Sequence, residues 1–315
     1  MINMDAKSRE EFIERAEPIN RELRPKLNAI LALIDRGQRP ESKDFKKYYR
    51  SEEVKELLED IYRKKCVFCE KKPESLDVDH YRPKAKVRGF DGKKTSPVKD
   101  ENDECHPGYY WLAYEITNLL LLCRECNRGK GGKYNKFPVQ GIRIFKHPED
   151  ESQWRVDCER LLNEKPLLLH PFVDLPEDHI TIDSSGEAIP VNGSDKGDMT
   201  IGTCNLNRDG LWLDRRKKII DDLFREMKVQ LLKFDEDLKN NEIINLKKSL
   251  FSIFEQQFSK LKKNKVRDCQ FSRVYRCMYE YFDEFLGKNS VTMDLTPTDK
   301  SFIKKSFSRF KDNAS

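Results

Sequence analysis

Two short cysteine pairs carry the strongest chemical signal in the chain. Cys66-Val67-Phe68-Cys69 and Cys123-Arg124-Glu125-Cys126 each put two thiolates on one tight turn, where both can reach one metal. Two such turns complete a tetrahedral four-cysteine set with no open position, the arrangement of a structural zinc. One C-x-x-C alone could do redox work, but no thioredoxin-like βαβ pattern surrounds either pair. Between the pairs lie Asp79-His80 and Asn118, and directly after the second pair comes Asn127. His80 brings an imidazole that can be neutral at working pH and can take a proton from water. Singly, an Asp-His pair is a common surface or core detail and an Asn a common turn or cap residue. Their joint placement on a four-cysteine frame sets them apart.

In this order the residues resemble the HNH nuclease family. Its pattern is an Asp-His pair on a first strand, an Asn on the next, and a His or Asn opening the following helix. Zinc-stapled members carry one C-x-x-C before the Asp-His and another just before the last motif residue, as this chain does. The likeness sharpens in Asp79-His80-Tyr81-Arg82-Pro83-Lys84, Tyr110-Trp111-Leu112-Ala113-Tyr114, Asn118-Leu119-Leu120-Leu121-Leu122-Cys123 and Cys126-Asn127-Arg128-Gly129-Lys130. These segments are similar to the PtuB-type nucleases of Septu anti-phage systems and of retron-associated relatives. Leu168-Leu169-His170-Pro171, Asp178-His179-Ile180 and Leu206-Asn207-Arg208 carry the likeness on to about residue 216.

The resemblance implies a metal-dependent endonuclease that hydrolyses phosphodiester bonds, on DNA before RNA. His80 is then the general base, and Asp79 and Asn127 hold one divalent cation. Asn118 fixes the loop that bears His80. Many relatives have His where this chain has Asn127. Two hard oxygen donors favour magnesium or manganese over zinc or nickel. Arg82, Lys84, Arg128 and Lys130 are the candidates to clamp phosphate. The resembled group works beside an ABC/SMC-type ATPase, PtuA in Septu systems, so an ATPase partner is expected. Two other readings share these residues: an inactive zinc-ribbon module that binds nucleic acid or protein, and a restriction-type HNH endonuclease. No segment resembles a separate base-reading domain.

The elements that must position these residues can be read in outline. Residues 10–36 show helical periodicity, with interruptions near Pro18 and Pro25. A second helix, capped by Ser51, runs to Arg63 and delivers the chain to Cys66. Residues 86–107 read as an inserted, solvated loop, and Tyr109–Tyr114 as a strand-sized apolar run. Residues 180–191 have the alternation and Ser-Ser-Gly turn of a β-hairpin. After Asp209, a candidate N-cap, the chain turns helical to its end. One apolar stripe there is Ile219, Ile220, Leu223, Met227 and Leu231. A second is Ile243, Leu246, Leu250, Ile253, Phe254 and Leu261, and a third is Val274, Met278, Tyr281 and Phe282. Thr296-Pro297 opens a final short helix. The expected class is α+β, mainly helical, with a zinc-stapled ββα-metal core. Its parts are a helical lead-in at 1–65, the nuclease core at 66–140, a hairpin-containing extension at 141–209 and a helical region at 210–315.

Composition excludes some classes. Sixty basic and 55 acidic residues leave a net charge of only +5, so nucleic-acid binding must rest on local clustering. The charged N-terminus has no signal-peptide core, and no apolar run approaches the roughly 20 residues of a membrane helix, so a cytoplasmic protein is expected. Cys105, Cys158, Cys204, Cys269 and Cys277 have no ligand spacing and are expected as small buried hydrophobes. His106, His147, His170 and His179 are expected in hydrogen-bonded structural roles.

Overall fold

The computed structural model describes residues 1–238, 243–266 and 268–314, with side chains described for all but 234–238, 243–249 and 314. The chain divides into two compact units, Met1–Ile180 with Ile189–Leu206, and Thr181–Ala188 with Asn207–Ser315. The class is α+β with helices in the majority. No helix among the described residues is long and apolar enough to cross a membrane.

In the first unit, helix α1 (Ala6–Leu23) starts at Asp5, whose carboxylate accepts the Ser8 amide at 2.7 Å. Pro18 lies inside α1, and the break comes at Pro25, in a 3-10 turn before α2 (Asn28–Asp35). Helix α3 (Glu52–Ile61) is capped by the Ser51 hydroxyl, and Glu52 and Glu53 complement its positive end. Its buried residues Val54, Leu57, Leu58 and Ile61 form one face at helical spacing. The chain then enters β1 (Asp77–His80). After it, β2 (Arg88–Phe90) and β3 (Thr95–Pro97) form an antiparallel hairpin, correcting the loop expected over 86–107. Its turn is made by Asp91, which accepts the Lys93 and Lys94 amides at 2.8 and 2.7 Å. Both strands are short and largely exposed, so burial left no alternation to read. The expected strand-sized run at 109–114 is instead a buried 3-10 turn, Tyr110–Leu112, with Trp111 fully enclosed.

Strand β4 (Leu119–Leu122) pairs antiparallel with β1 in the register Asp77↔Leu122 to His80↔Leu119. Its four leucines are all buried, as an unbroken apolar run requires. Helix α4 (Arg124–Arg128) follows at once and packs on β1, completing a ββα unit. Further on are α5 (Glu159–Leu162), the hairpin of β5 (Ile180–Ile182) and β6 (Ala188–Pro190), and α6 (Asp195–Cys204), capped by Ser194.

The second unit is helical apart from its share of the β5–β6 hairpin, Thr181–Ala188. It holds α7 (Asp209–Leu211), a π-helical turn at Trp212–Lys217, α8 (Lys218–Leu238), α9 (Ile243–Asn264), α10 (Ser272–Glu280), α11 (Phe282–Thr292) and α12 (Pro297–Ala314). Arg208, not Asp209, stands at the cap position of α7. The last helix has 18 residues rather than being short; Thr296 and Asp299 bond each other's amides at its start, at 3.1 and 2.8 Å. Phe258 on α9 meets Phe282, Phe307 and Phe310 with ring centroids 5.5, 5.0 and 5.7 Å away. The expected stripes face this core at Ile220, Leu223, Met227, Leu250, Phe254 and Met278. Tyr281 is exposed, because it ends α10 where the chain turns into α11. The side chains of Ile243 and Leu246 lie outside the described residues.

Candidate active site

Cys66, Cys69, Cys123 and Cys126 are buried, with their four sulfurs within 4.8 Å of one another. A tetrahedral zinc with bonds of about 2.3 Å sets its sulfurs roughly 3.8 Å apart. The Cys69 and Cys123 sulfurs stand 3.7 Å apart, so the set fits a structural metal such as zinc. Backbone bonds hold the two turns together. The Val67 amide donates to Leu121 O at 2.9 Å, tying the first turn to β4, and Cys123 directly follows β4 as the N-cap of α4. Bonds from neighbouring thiols hold Cys69 well below its ordinary range and Cys123 down to about 7, while burial pushes Cys66 up. Two thiols held toward the thiolate suit a cation. The lone cysteines divide: Cys204 and Cys277 are buried as expected, whereas Cys105 is exposed and Cys158 and Cys269 are half-buried.

In the ββα unit, β1 carries Asp79 and His80, the 3-10 turn before β4 carries Asn118, and α4 carries Asn127. His80 ends β1, buried, with Nε2 2.9 Å from Ala113 O and its ring edge-on to Tyr49 at 4.6 Å between centroids. Burial, reinforced by the charge of Lys84, holds its pKa well below the ordinary histidine range, so the ring is neutral. With the Nε2 proton given to Ala113 O, Nδ1 is the basic nitrogen. Asn118 is fully buried and clamps the chain beyond His80. Its Oδ1 accepts the Arg82 amide at 2.9 Å, and its Nδ2 donates to Arg82 O and Leu112 O, both at 3.1 Å. Asn118 thus joins the segment after His80 to the segment that presents Ala113 O.

Asp79 alternates with His80 along β1 and is partly exposed. Both border one small cleft of about 40 Å³, with Ser42, Pro83, Lys84, Ala85, Tyr134 and Asn135. Asn127 lies buried on α4, where its Nδ2 donates to Asp77 at 3.1 Å. That contact commits the amide nitrogen to Asp77. The Asp79 carboxylate and the Asn127 amide oxygen are hard donors, of the type that magnesium and manganese take.

The four basic candidates do not behave alike. Arg82 is a correction: it cannot hold phosphate here, because its side chain is wholly buried, ion-paired with Glu164 and bonded to Leu161 O at 2.7 Å. Its guanidinium lies 4.7 Å from the Phe137 ring centre, and Tyr109 donates to the same Glu164 at 2.9 Å. Lys84 borders the cleft, 4.5 Å above the Tyr49 ring. Arg128 is exposed but paired with Asp77 at 2.8 Å, and Lys130 is exposed on the loop beyond α4.

Three residues of the site escaped sequence reasoning. Lys133 is fully buried, with Nζ 3.2 Å from Asp79 and 2.6 Å from His80 O. Its position follows from the loop folding back along α4, where the Lys133 and Tyr134 amides bond Cys126 O and Asn127 O at 2.8 and 2.9 Å. Asp77 shares the Asp79 face of β1, which strand alternation could have revealed. Tyr49, the wall beside His80 and Lys84, has no local signal. The other histidines are structural: His106 and His170 are buried and bond neighbouring backbone, His147 meets Tyr110 Oη, and His179 meets Ser194 Oγ.

No protein-family model and no solved structure matches the chain. Septu protein PtuB of Bacillus mycoides (strain KBAB4) is 32% identical over 188 residues, 58% of this chain and 56% of PtuB. The chain is similar to Septu proteins. Septu protein PtuA of the same strain is 33% identical over 177 residues, 55% of this chain but 21% of PtuA. Each match takes more than half of this chain, so the two matched stretches overlap. The chain spans about half the length of PtuB and about a fifth of PtuA, which makes the Septu likeness one of a shared segment.

Proposed function

We propose that the chain is an HNH endonuclease that hydrolyses phosphodiester bonds as the effector of a Septu-type anti-phage system. The observation that carries this reading is His80: a buried, neutral imidazole, anchored through Nε2 on Ala113 O, at the rim of a cleft that also holds Asp79. A water in that cleft would pass its proton to His80 Nδ1 as its oxygen attacks phosphorus; the bond from phosphorus to the leaving sugar oxygen breaks, and that oxygen keeps the electron pair and takes a proton from solvent water. Magnesium or manganese, held by Asp79 and Asn127, would supply positive charge to the phosphate as negative charge builds. Asn118 keeps the His80 ring and its backbone in register, and Lys84 meets a phosphate oxygen from the cleft wall. The four cysteines act as the frame, since β4 and α4 meet at Cys123.

Cleavage of DNA and RNA with and without magnesium tests the reading. His80→Ala should lower the rate by about 10² to 10⁴ while zinc content is unchanged. Wild-type rates from His80→Ala at neutral pH would sink it. The likeness to Septu proteins further supports action beside an ABC/SMC-type ATPase of the PtuA kind. Co-purification of the full chain with the neighbouring ATPase should yield a complex; a nuclease that ignores the ATPase and cleaves vigorously alone would refute that association and leave the chemistry standing.

A further inference from the structure

A second depression opens next to the catalytic cleft. It is a groove of about 510 Å³ lined by Arg88, Thr95, Gly131, Gly132, Tyr134, Asn135 and Lys136. Tyr134 and Asn135 line both the groove and the cleft of His80 and Asp79, so the two are contiguous. Among the described residues, no carboxylate lines the groove, and Asp79 is the only one that lines the cleft. Among the described residues, no acid pairs with the Arg88 guanidinium, which is exposed at the start of β2.

The groove has a built floor. The Arg88 amide bonds Asn135 O, and the Phe137 amide bonds Arg88 O, both at 2.9 Å, so the β2–β3 hairpin is stitched to the segment beyond Tyr134. Lys136 is buried there, with Nζ 3.0 Å from Gly131 O and 4.5 Å from the Phe90 ring centre. Gly132 packs so tightly that a Cβ would stand 2.8 Å from Glu125 O. Against this fixed floor, Tyr134 is anomalous. Its ring is half-exposed although aromatic, its backbone is in the left-handed region at φ 46°, and its hydroxyl donates to Arg128 O. A bulky residue keeps such a conformation only where its surroundings enforce it, and such positions cluster at ligand sites.

We propose that this groove takes the nucleotide next to the scissile phosphate: its base stacks on Tyr134 and its phosphate meets Arg88, with the Asn135 amide on sugar or base edge. Every base has a π-face, so an aromatic platform beside a free guanidinium suits a strand of any sequence. Tyr134 then stands between two adjacent nucleotides, one at the chemistry and one in the groove. The site rests on the nuclease reading for its direction, but its own observable is binding, not turnover.

The test is binding of fluorescent twelve-nucleotide DNA and RNA strands to the full chain without magnesium, by anisotropy over a range of salt. Tyr134→Ala should weaken binding about tenfold, and Tyr134→Phe should keep it, because the ring and not the hydroxyl stacks. Arg88→Gln should weaken binding and flatten the salt dependence by one phosphate contact. Thr95→Glu, an exposed change that leaves Tyr134 in place, should weaken binding several-fold by placing an acid in the groove. A larger loss on DNA than on RNA, or the reverse, would identify the strand. If the wild type binds and cleaves while all these variants bind equally well, the groove assignment is wrong and the nuclease reading stands. If the wild type neither binds nor cleaves either polymer, the nuclease reading fails and takes the groove with it.

Discussion

The two units solve the problem of burial in opposite ways. The second is held by long amphipathic helices around a cluster of phenylalanines, with Phe282 and Phe307 stacked at 4.0 Å. The first has short strands and helices of four or five residues at its centre, and it encloses groups that water holds strongly. Arg82, Glu164, Lys133, Asn118 and four cysteines are all buried there. A polar interior of this kind is stable only when every member is answered, and it is then stiff. Such stiffness holds His80 and Asp79 at fixed positions, whereas an apolar bundle tolerates repacking.

The contrast can be broken hardest at the cysteines. Structural zinc contributes on the order of 10 kcal/mol to small metal-stapled folds, so Cys66→Ser or Cys126→Ser should strip the metal and unfold the first unit. Elemental analysis should give one zinc per wild-type chain and none in the variants. Residue-resolved hydrogen exchange should show β4 exposed while α9 and α11 stay protected. Equal loss in both units would erase the distinction.

The next largest effects pit a charge against a ring. Arg82→Met should cost about 3 to 5 kcal/mol in urea unfolding, because it strands Glu164 in the interior, and the double change with Glu164→Leu should recover much of that loss. Phe258→Ala should cost about 3 to 5 kcal/mol by opening a cavity, with no second-site change needed to explain it. A double variant as unstable as Arg82→Met alone would mean that the pair matters beyond mutual neutralisation. Lys133→Met should cost about 1.5 to 3 kcal/mol, since a charged donor to Asp79 and to His80 O is lost, and cleavage should fall with it. Unchanged stability and rate would make Lys133 a bystander.

The most gradual effect is set by acid. All five histidines, residues 80, 106, 147, 170 and 179, lie in the first unit. Burial lowers His106 to about 4 and His170 to about 3, from 6.5 when unfolded. Below pH 6.5 the unfolded chain therefore takes up protons that the folded one refuses. Stability should be full above that pH and fall as pH drops from 6.5 toward 4, by at most about 1.4 kcal/mol per pH unit for each histidine. Exchange at pH 7 and pH 5 should register the loss in the first unit alone; a flat response there would contradict the burial of both rings.

What could be read in the sequence was what repeats or sits close together. The cysteine spacing, the Asp79-His80 pair, the leucine run of β4, the Ser51 cap and the hairpin at 180–191 are all local patterns. Glu164 answers Arg82 from 82 positions away, and Lys133 answers Asp79 from 54. No periodicity announces such pairs. Arg82 read as a phosphate ligand because a lone arginine near a histidine looks solvated until its distant carboxylate is placed. The hairpin at 88–97 was hidden for the converse reason: exposed strands leave no apolar alternation.

One consequence of the Arg82–Glu164 pairing reaches past stability. Both charges come from the same unit, as do Asn118 with its carbonyls and Lys133 with Asp79, so among the described residues each of these buried groups is answered from within its own unit. A piece of protein built this way is portable. It can be grafted beside new neighbours without leaving an orphaned charge in either. Overlapping stretches of this one chain find counterparts over about half of PtuB and about a fifth of the longer PtuA, two settings in which a self-balanced interior of this kind would leave its neighbours' charges untouched.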